Sequence, residues 1–199
     1  MGKIKIPKVK ISELRLIGER IILRPLKISD AKDIYTNIQD RKIAENTLRI
    51  PWPYRLKDAI NFIKNSQKSL KKRKGFIFGI ELKEKKEVVG VISLENVDFE
   101  HRHAEVGYWL GKKYRGKGIM TEAGKLVLNF AFEKLKLHRV DAGVFSDNLI
   151  SQKVLKKLGF KKEGVRRHWR LKFGRWKDDV LYSILENEYY KKVKLKNKA

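Results

Sequence analysis

Trp109-Leu-Gly-Lys-Lys-Tyr-Arg-Gly-Lys-Gly-Ile-Met120 joins a segment that reads as a β-strand to one that reads as a helix, through glycines at 111, 116 and 118 and cations at 112, 113, 115 and 117. Glycine lets a backbone approach a ligand closely, and the first N–H groups of a helix have no internal partner. With the helix dipole and the Lys and Arg charges added, the segment has the make-up of a phosphate cradle. Two nucleotide motifs fail against it. Gly111 to Lys117 opens like a Walker A loop, but Gly118 stands where Ser or Thr should hold magnesium. A dinucleotide fingerprint would need a third glycine where Thr121 stands.

Working outward, the strand before the loop is His103-Ala-Glu-Val-Gly-Tyr-Trp-Leu110. Its alternation puts Ala104, Val106, Tyr108 and Leu110 on one face and His103, Glu105, Gly107 and Trp109 on the other. The helix after it carries Ile119, Ala123, Leu126, Val127, Phe130 and Ala131 on one stripe. Arg139 to Phe145 reads as the next strand, so this strand-helix-strand unit requires one parallel pairing. Asp147 then opens a helix bearing Val154, Leu155 and Leu158 and closed by Gly159. Upstream, Arg20 to Pro25 reads as a strand, Ser29 to Asp33 opens a helix with Ile34, Tyr35 and Ile38, and Leu56, Ala59, Ile60 and Ile63 mark a second. Phe76–Leu82 and Val88–Leu94 form an antiparallel hairpin; Phe160–Val165 and Val180–Leu185 are two further strands bracketing a turn at Gly174. Between the first two helices, Ile50-Pro-Trp-Pro-Tyr54 is either a packed connector or a wall of a substrate groove formed by Trp52 and Tyr54. The pattern predicts one α+β domain over residues 18–187 with a mixed, mostly antiparallel sheet flanked by helices. A basic extension, 1–17, precedes it and a Lys-rich tail, 188–199, follows.

The chain has 199 residues, 42% of them hydrophobic, enough for a full core. Forty-eight Lys and Arg against 23 Asp and Glu leave a net charge of +25. Such a surface attracts polyanions, and it is read either as a Lys-rich solvated surface or as that of a protein working beside RNA or the ribosome. It disfavours small polycations as substrates unless local carboxylates reverse the field. No apolar run reaches the ~20 residues of a membrane span, and no apolar core follows the first lysines, so a cytoplasmic protein without membrane attachment is expected. With 0 Cys and 4 His, no metal site is expected, and chemistry falls to carboxylates, hydroxyls, backbone amides or a bound cofactor.

Arg115-Gly-Lys-Gly-Ile-Met120 resembles the acetyl-coenzyme A loop of the GNAT superfamily of N-acetyltransferases, Arg/Gln-x-x-Gly-x-Gly/Ala, in its first four positions; Met120 departs from the last. Ala104–Leu110 together with Arg115–Ala123 is similar to the RimJ/RimL branch, the ribosomal-protein N-terminal acetyltransferases, as are Asp147-Asn-Leu-Ile-Ser151, Leu158-Gly-Phe160 and Ile50–Tyr54. The resemblance runs from about Gly18 to Glu186. It implies the GNAT fold and acetyl-coenzyme A or coenzyme A held by Arg115, Gly116, Lys117, Gly118, Ile119 and Met120, with Asn148 capping a helix or meeting the pantetheine arm. Backbone amides at Trp109 and Leu110 become the oxyanion donors. Glu105, on the strand that leads into the loop and facing away from its apolar side, becomes the general base, an ion pair or cap being its other reading. Ser151 becomes the acid that protonates the departing thiolate, or a helix cap. Many relatives use a tyrosine further along that helix where Leu155 stands here, and some place a carboxylate where Arg170 stands. The implied acceptor is a protein or peptide N-terminal amine, a ribosomal protein among them, because an α-amine of pKa ~7.7–8.0 loses its proton more easily than a lysine near ~10.4. A small amine, such as an amino sugar, antibiotic or polyamine, and a non-catalytic ribosome- or RNA-associated module are the alternatives. Monomer and homodimer both remain open.

Overall fold

A computed structural model describes residue 10 and residues 14–196. The stretches 1–9 and 11–13, most of the basic extension, and 197–199, the end of the Lys-rich tail, lie outside the described residues.

Eight strands form one sheet: β1 (Leu16–Ile17), β2 (Ile21–Pro25), β3 (Phe76–Leu82), β4 (Val88–Asp98), β5 (His103–Leu110), β6 (Arg139–Phe145), β7 (Lys161–Lys172) and β8 (Arg175–Leu185). Their spatial order is 1-2-3-4-5-6-8-7. All neighbours are antiparallel except β5 and β6, the parallel pair the sequence requires. The helices are α1 (Ala31–Asn37), α2 (Arg41–Glu45), α3 (Leu56–Lys71), α4 (Ile119–Asn129, prolonged by a π turn over Phe130–Lys134), α5 (Leu149–Leu158) and α6 (Glu186–Lys196). Among the described residues no helix is long and apolar enough to cross a membrane.

Both faces of the sheet are covered, by different helices. On one face Ala104, Val106 and Leu110 of β5 and Val140, Ala142 and Val144 of β6 join the core with the apolar stripes of α4 and α5. Phe130 packs edge-on against Phe76 and Phe78, ring centroids 5.2 and 5.6 Å away. A Cβ on Gly124 would lie 2.4 Å from Leu158 Cδ1, so α4 and α5 touch through a residue without a side chain. On the other face α1 and α3 bring Ile34, Ala59 and Ile63 against Val91 and Trp109. This second layer changes one reading of the alternation: Trp109, expected to face away from the apolar side of its strand, does so and is nevertheless only 8% exposed.

Local signals hold with two adjustments. The N-cap of α5 is Asn148, whose Oδ1 accepts from the Ser151 N–H at 3.2 Å, while Asp147 pairs with Lys177. Gly159 closes the helix at φ +103°, the left-handed conformation favoured at that position. The last hairpin is longer than expected, with β7 and β8 running out to Phe173-Gly174, both at positive φ as a two-residue type I′ turn requires. The α6 helix starts at Glu186 and stacks Tyr189 on Phe132, ring centroids 4.9 Å apart.

Candidate active site

The glycine loop is tied down on its outer side. Gly111 N–H donates to the Val89 carbonyl at 2.9 Å, and the Tyr114 hydroxyl to Glu87 at 2.8 Å. Burial, with Glu87 adding to it, pushes that phenol up to about 12. Arg115 folds back: Nε donates to the Leu110 carbonyl at 3.1 Å, and the guanidinium meets Asp40 Oδ2 at 2.8 Å as a contact of charges rather than an aligned hydrogen bond. Its side chain thus braces the loop. Gly116 and Gly118 both sit at φ +76°, and a Cβ on Gly116 would meet nothing within 4 Å, so glycine is needed there for its dihedral rather than for room. The first bond of the α4 ladder runs from Glu122 N–H to the Gly118 carbonyl at 3.0 Å. The amides of Ile119, Met120 and Thr121 lie ahead of it, free of the ladder, while the buried side chains of Ile119 and Met120 anchor that turn in the core. Lys117 is exposed beside them. Positive-φ glycines, free amides and surplus cations suit an anionic diphosphate.

Beside this loop the sheet opens. β5 and β6 pair at His103–Arg139, Ala104–Val140 and Glu105–Asp141, and pairing stops there. Beyond it β5 continues to Leu110 with β4 alone, and β6 to Phe145 with β8 alone. Gly107 on one bank and Gly143 on the other themselves present no side chain to the face shared with Glu105.

On that face the register sets a polar row: Glu95 of β4, Glu105 of β5, Asp141 of β6 and Ser183 of β8. Most of its charge is compensated. Arg49 holds Glu95 at 2.5 Å, and Arg139 reaches Asp141 at 2.7 Å and Glu163 at 2.8 Å, Glu163 also accepting from Ser183 Oγ at 2.7 Å. Glu105 is exposed and takes only Asn96 Nδ2, at 3.2 Å; among the described residues it has no cationic partner. Asp179 also lies on this face, its carboxylate within 2.8 Å of where a Cβ on Gly143 would stand. Burial raises its pKa, against the pull of Arg166 and Arg170.

Glu163 shows how firmly the row is fixed. Hydrogen bonds from Arg139 and then Ser183 pull its carboxyl down to about 2. A folded-state value below the unfolded ~4.3 means that the folded protein binds fewer protons, so this contribution is full above ~4.3 and disappears as pH falls toward 2. Glu163→Gln is therefore expected to lower the urea midpoint at pH 7 and to lower it less at pH 3; an equal gap at both pH values would contradict the ion-pair role.

On the opposite face the Tyr108 ring packs partly into the core and its hydroxyl crosses to the first turn of α5. It lies 2.8 Å from Ser151 Oγ and donates to the Ser151 carbonyl at 3.2 Å. Burial pushes the phenol up to about 12, the Ser151 contact working the other way, so it keeps its proton at neutral pH. Ser151 is thus placed by Asn148 beneath it and Tyr108 beside it. Sequence reasoning assigned Ser151 and missed Tyr108, which alternation files with the apolar residues; its hydroxyl was the available signal.

The two loop aromatics separate. Tyr54 is buried in the second core, its phenol raised by burial and its carbonyl accepting from Gln39, whereas Trp52 is exposed. Arg49, just before them, binds Glu95 on the polar row, which brings this loop to the same face.

The fold and the loop define a class of protein, an α+β domain with a split sheet and a glycine-rich, cationic loop at the start of one helix. The model of the acetyltransferase (GNAT) domain matches residues 20–161, and the chain belongs to this family. It is 37% identical over 174 residues, 85% of this chain and 96% of the other, to the probable N-acetyltransferase YjcK of Bacillus subtilis (strain 168). Among solved structures, it matches a ribosomal-protein-S5-alanine acetyltransferase from Vibrio fischeri with a TM-score of 0.79, 26% identity and coverage of 89% of this chain and 99% of that one. It also matches Mycobacterium smegmatis RimJ in complex with CoA-disulfide, with a TM-score of 0.77, 27% identity and coverage of 84% and 83%.

Proposed function

We propose that this acetyltransferase uses acetyl-coenzyme A to acetylate the N-terminal α-amine of a protein, with ribosomal proteins as the acceptor class. One observation carries the reading: where β5 and β6 stop pairing, an uncompensated carboxylate, Glu105, stands on one face of the sheet and the Tyr108–Ser151 pair on the other. Donor and acceptor can then meet through the gap from opposite sides. The amides of Gly116 to Met120 would hold the diphosphate with charge from Lys117, and Asn148, at the start of α5, would border the pantetheine arm. Bound acetyl-coenzyme A supplies a thioester carbonyl for the amine to attack and a thiol to depart. Glu105 takes the proton of the incoming ammonium, directly or through water. The Leu110 amide, on the bank that has lost its neighbour, would receive the charge developing on the carbonyl oxygen. The Trp109 amide, expected beside it, points instead toward β4, because it lies two residues before Gly111, whose N–H bonds Val89 there. Tyr108 and Ser151 hold a proton on the departing side.

Three features support a protein terminus as acceptor. The polar row is largely neutralised by Arg49 and Arg139, so it does not collect polycations. Lys172, near the tip of the last hairpin, donates to the carbonyls of Leu48 at 3.2 Å and Ile50 at 2.9 Å, so hairpin and loop meet over this face. A free chain end passes beneath such a strap more easily than a lysine on a folded surface. Similarity to the Vibrio fischeri S5-alanine acetyltransferase points the same way. The test is incubation with acetyl-coenzyme A and a position-scanned peptide library, read by thiol release and by mass. Acetylation at the α-amine of a sequence-defined subset is expected; thiol release with small amines alone, or none, would overturn the reading.

A further inference from the structure

Arg20 reads from sequence only as the start of a strand. In the fold it leaves the β1–β2 turn and crosses to the cofactor loop. Its backbone N–H and its Nε donate to the two oxygens of Glu122, each at 2.9 Å, and Nη1 donates to the Lys117 carbonyl at 2.8 Å. The turn is pressed close, since a Cβ on Gly18 would lie 2.5 Å from Glu122 Oε1. Burial opposes charge on Glu122, but the donations and positive charge of Arg20 outweigh it and hold the carboxyl below the usual range. Glu122 is therefore ionised at neutral pH and matches the Arg20 charge, while the guanidinium commits both Nε and Nη1.

A trans peptide is planar, with its C=O and N–H pointing in opposite directions. Holding the Lys117 carbonyl toward Arg20 therefore turns the Gly118 N–H away from Arg20. The Lys117–Gly118 peptide is bounded on one side by Gly118, at φ +76°, which has no Cβ to resist rotation about that bond. We infer that Arg20 is a positioning residue for the cofactor: its grip on the Lys117 carbonyl fixes the Gly118 amide toward the diphosphate, while Glu122 fixes the arginine. This rests on the reading of the loop as a diphosphate cradle.

Calorimetric titration of coenzyme A into the full chain tests it. Arg20→Ala is expected to weaken coenzyme A about tenfold while kcat at saturating acetyl-coenzyme A stays within about twofold, because the residue acts on binding and touches no reacting atom. Arg20→Lys should not restore affinity, since one ammonium lacks the planar fork that spans Glu122 and the carbonyl. The ratio of variant to wild-type Kd should be the same at low and high salt; a direct contact between Arg20 and a phosphate would make it shrink as salt rises. Glu122→Gln, which leaves the loop untouched, is expected to weaken binding in the same direction and serves if Arg20→Ala does not fold. Unchanged affinity in both variants, full rescue by lysine, or a salt-sensitive ratio would overturn the role of Arg20 with the cradle intact. No heat with the wild-type chain would overturn the cradle itself, and the role of Arg20 with it.

Discussion

Glu105→Gln is expected to slow acetyl transfer by about 10²-fold or more at saturating substrates, the scale of a lost general base. Coenzyme A affinity should stay within about twofold, since Glu105 lies on the face away from α4 and α5. Glutamine keeps the size and leaves an acceptor for Asn96, so the row of side chains across β4 to β6 should keep its shape. What disappears is the one carboxylate of that row with no cation among the described residues. The deficit should shrink as pH rises past the pKa of the acceptor amine, ~8, because the amine then arrives already neutral. Steady-state rates over a pH series, with calorimetry for coenzyme A, check both parts. Unchanged turnover, or a tenfold loss of coenzyme A binding with turnover intact, would remove Glu105 from the chemistry.

Tyr108→Phe and Ser151→Ala should each lower kcat about 10- to 100-fold, and the double variant should be little worse than the more damaged single one. The two hydroxyls are 2.8 Å apart and, in the proposed mechanism, serve one proton, so removing either would interrupt the same path. The effect should depend on the leaving group: with an acetyl thioester of an acidic aryl thiol, which departs without protonation, both variants should approach wild type. Deficits that multiply, or that persist with such a donor, would assign the pair to packing α5 against β5.

Much of this was legible in the residues because it is local. The glycine loop and the alternation of β5 come from short-range spacing, and the need for a parallel neighbour from one strand-helix-strand unit of consecutive elements; together they place Glu105 on its face and the glycine loop at its helix. What escaped is what closes over long separations. Tyr108 meets Ser151 43 residues away, and Arg20 meets Lys117 97 residues away. Periodicity assigns a face but says nothing about what a side chain's tip will reach. The extent of β7 and β8 was hidden for another reason. Arg166-Arg-His-Trp-Arg170 lies at the sheet edge, exposed throughout, and without a buried face there is no alternation to read. At α5, Asp147 and Asn148 are both good caps in the abstract, and Lys177 takes the first of them.

Only three rungs join the two halves of the sheet at β5 and β6. A ladder so short does little to set the width of the cleft above it, so that width depends on the helices wedged behind, which meet where Leu158 lies against the bare backbone of Gly124. A single methyl added at that seam would be felt less as a loss of fold than as a misalignment of nucleophile and thioester, far from any residue that touches either. In this molecule, catalytic tolerance is written into the back of the core.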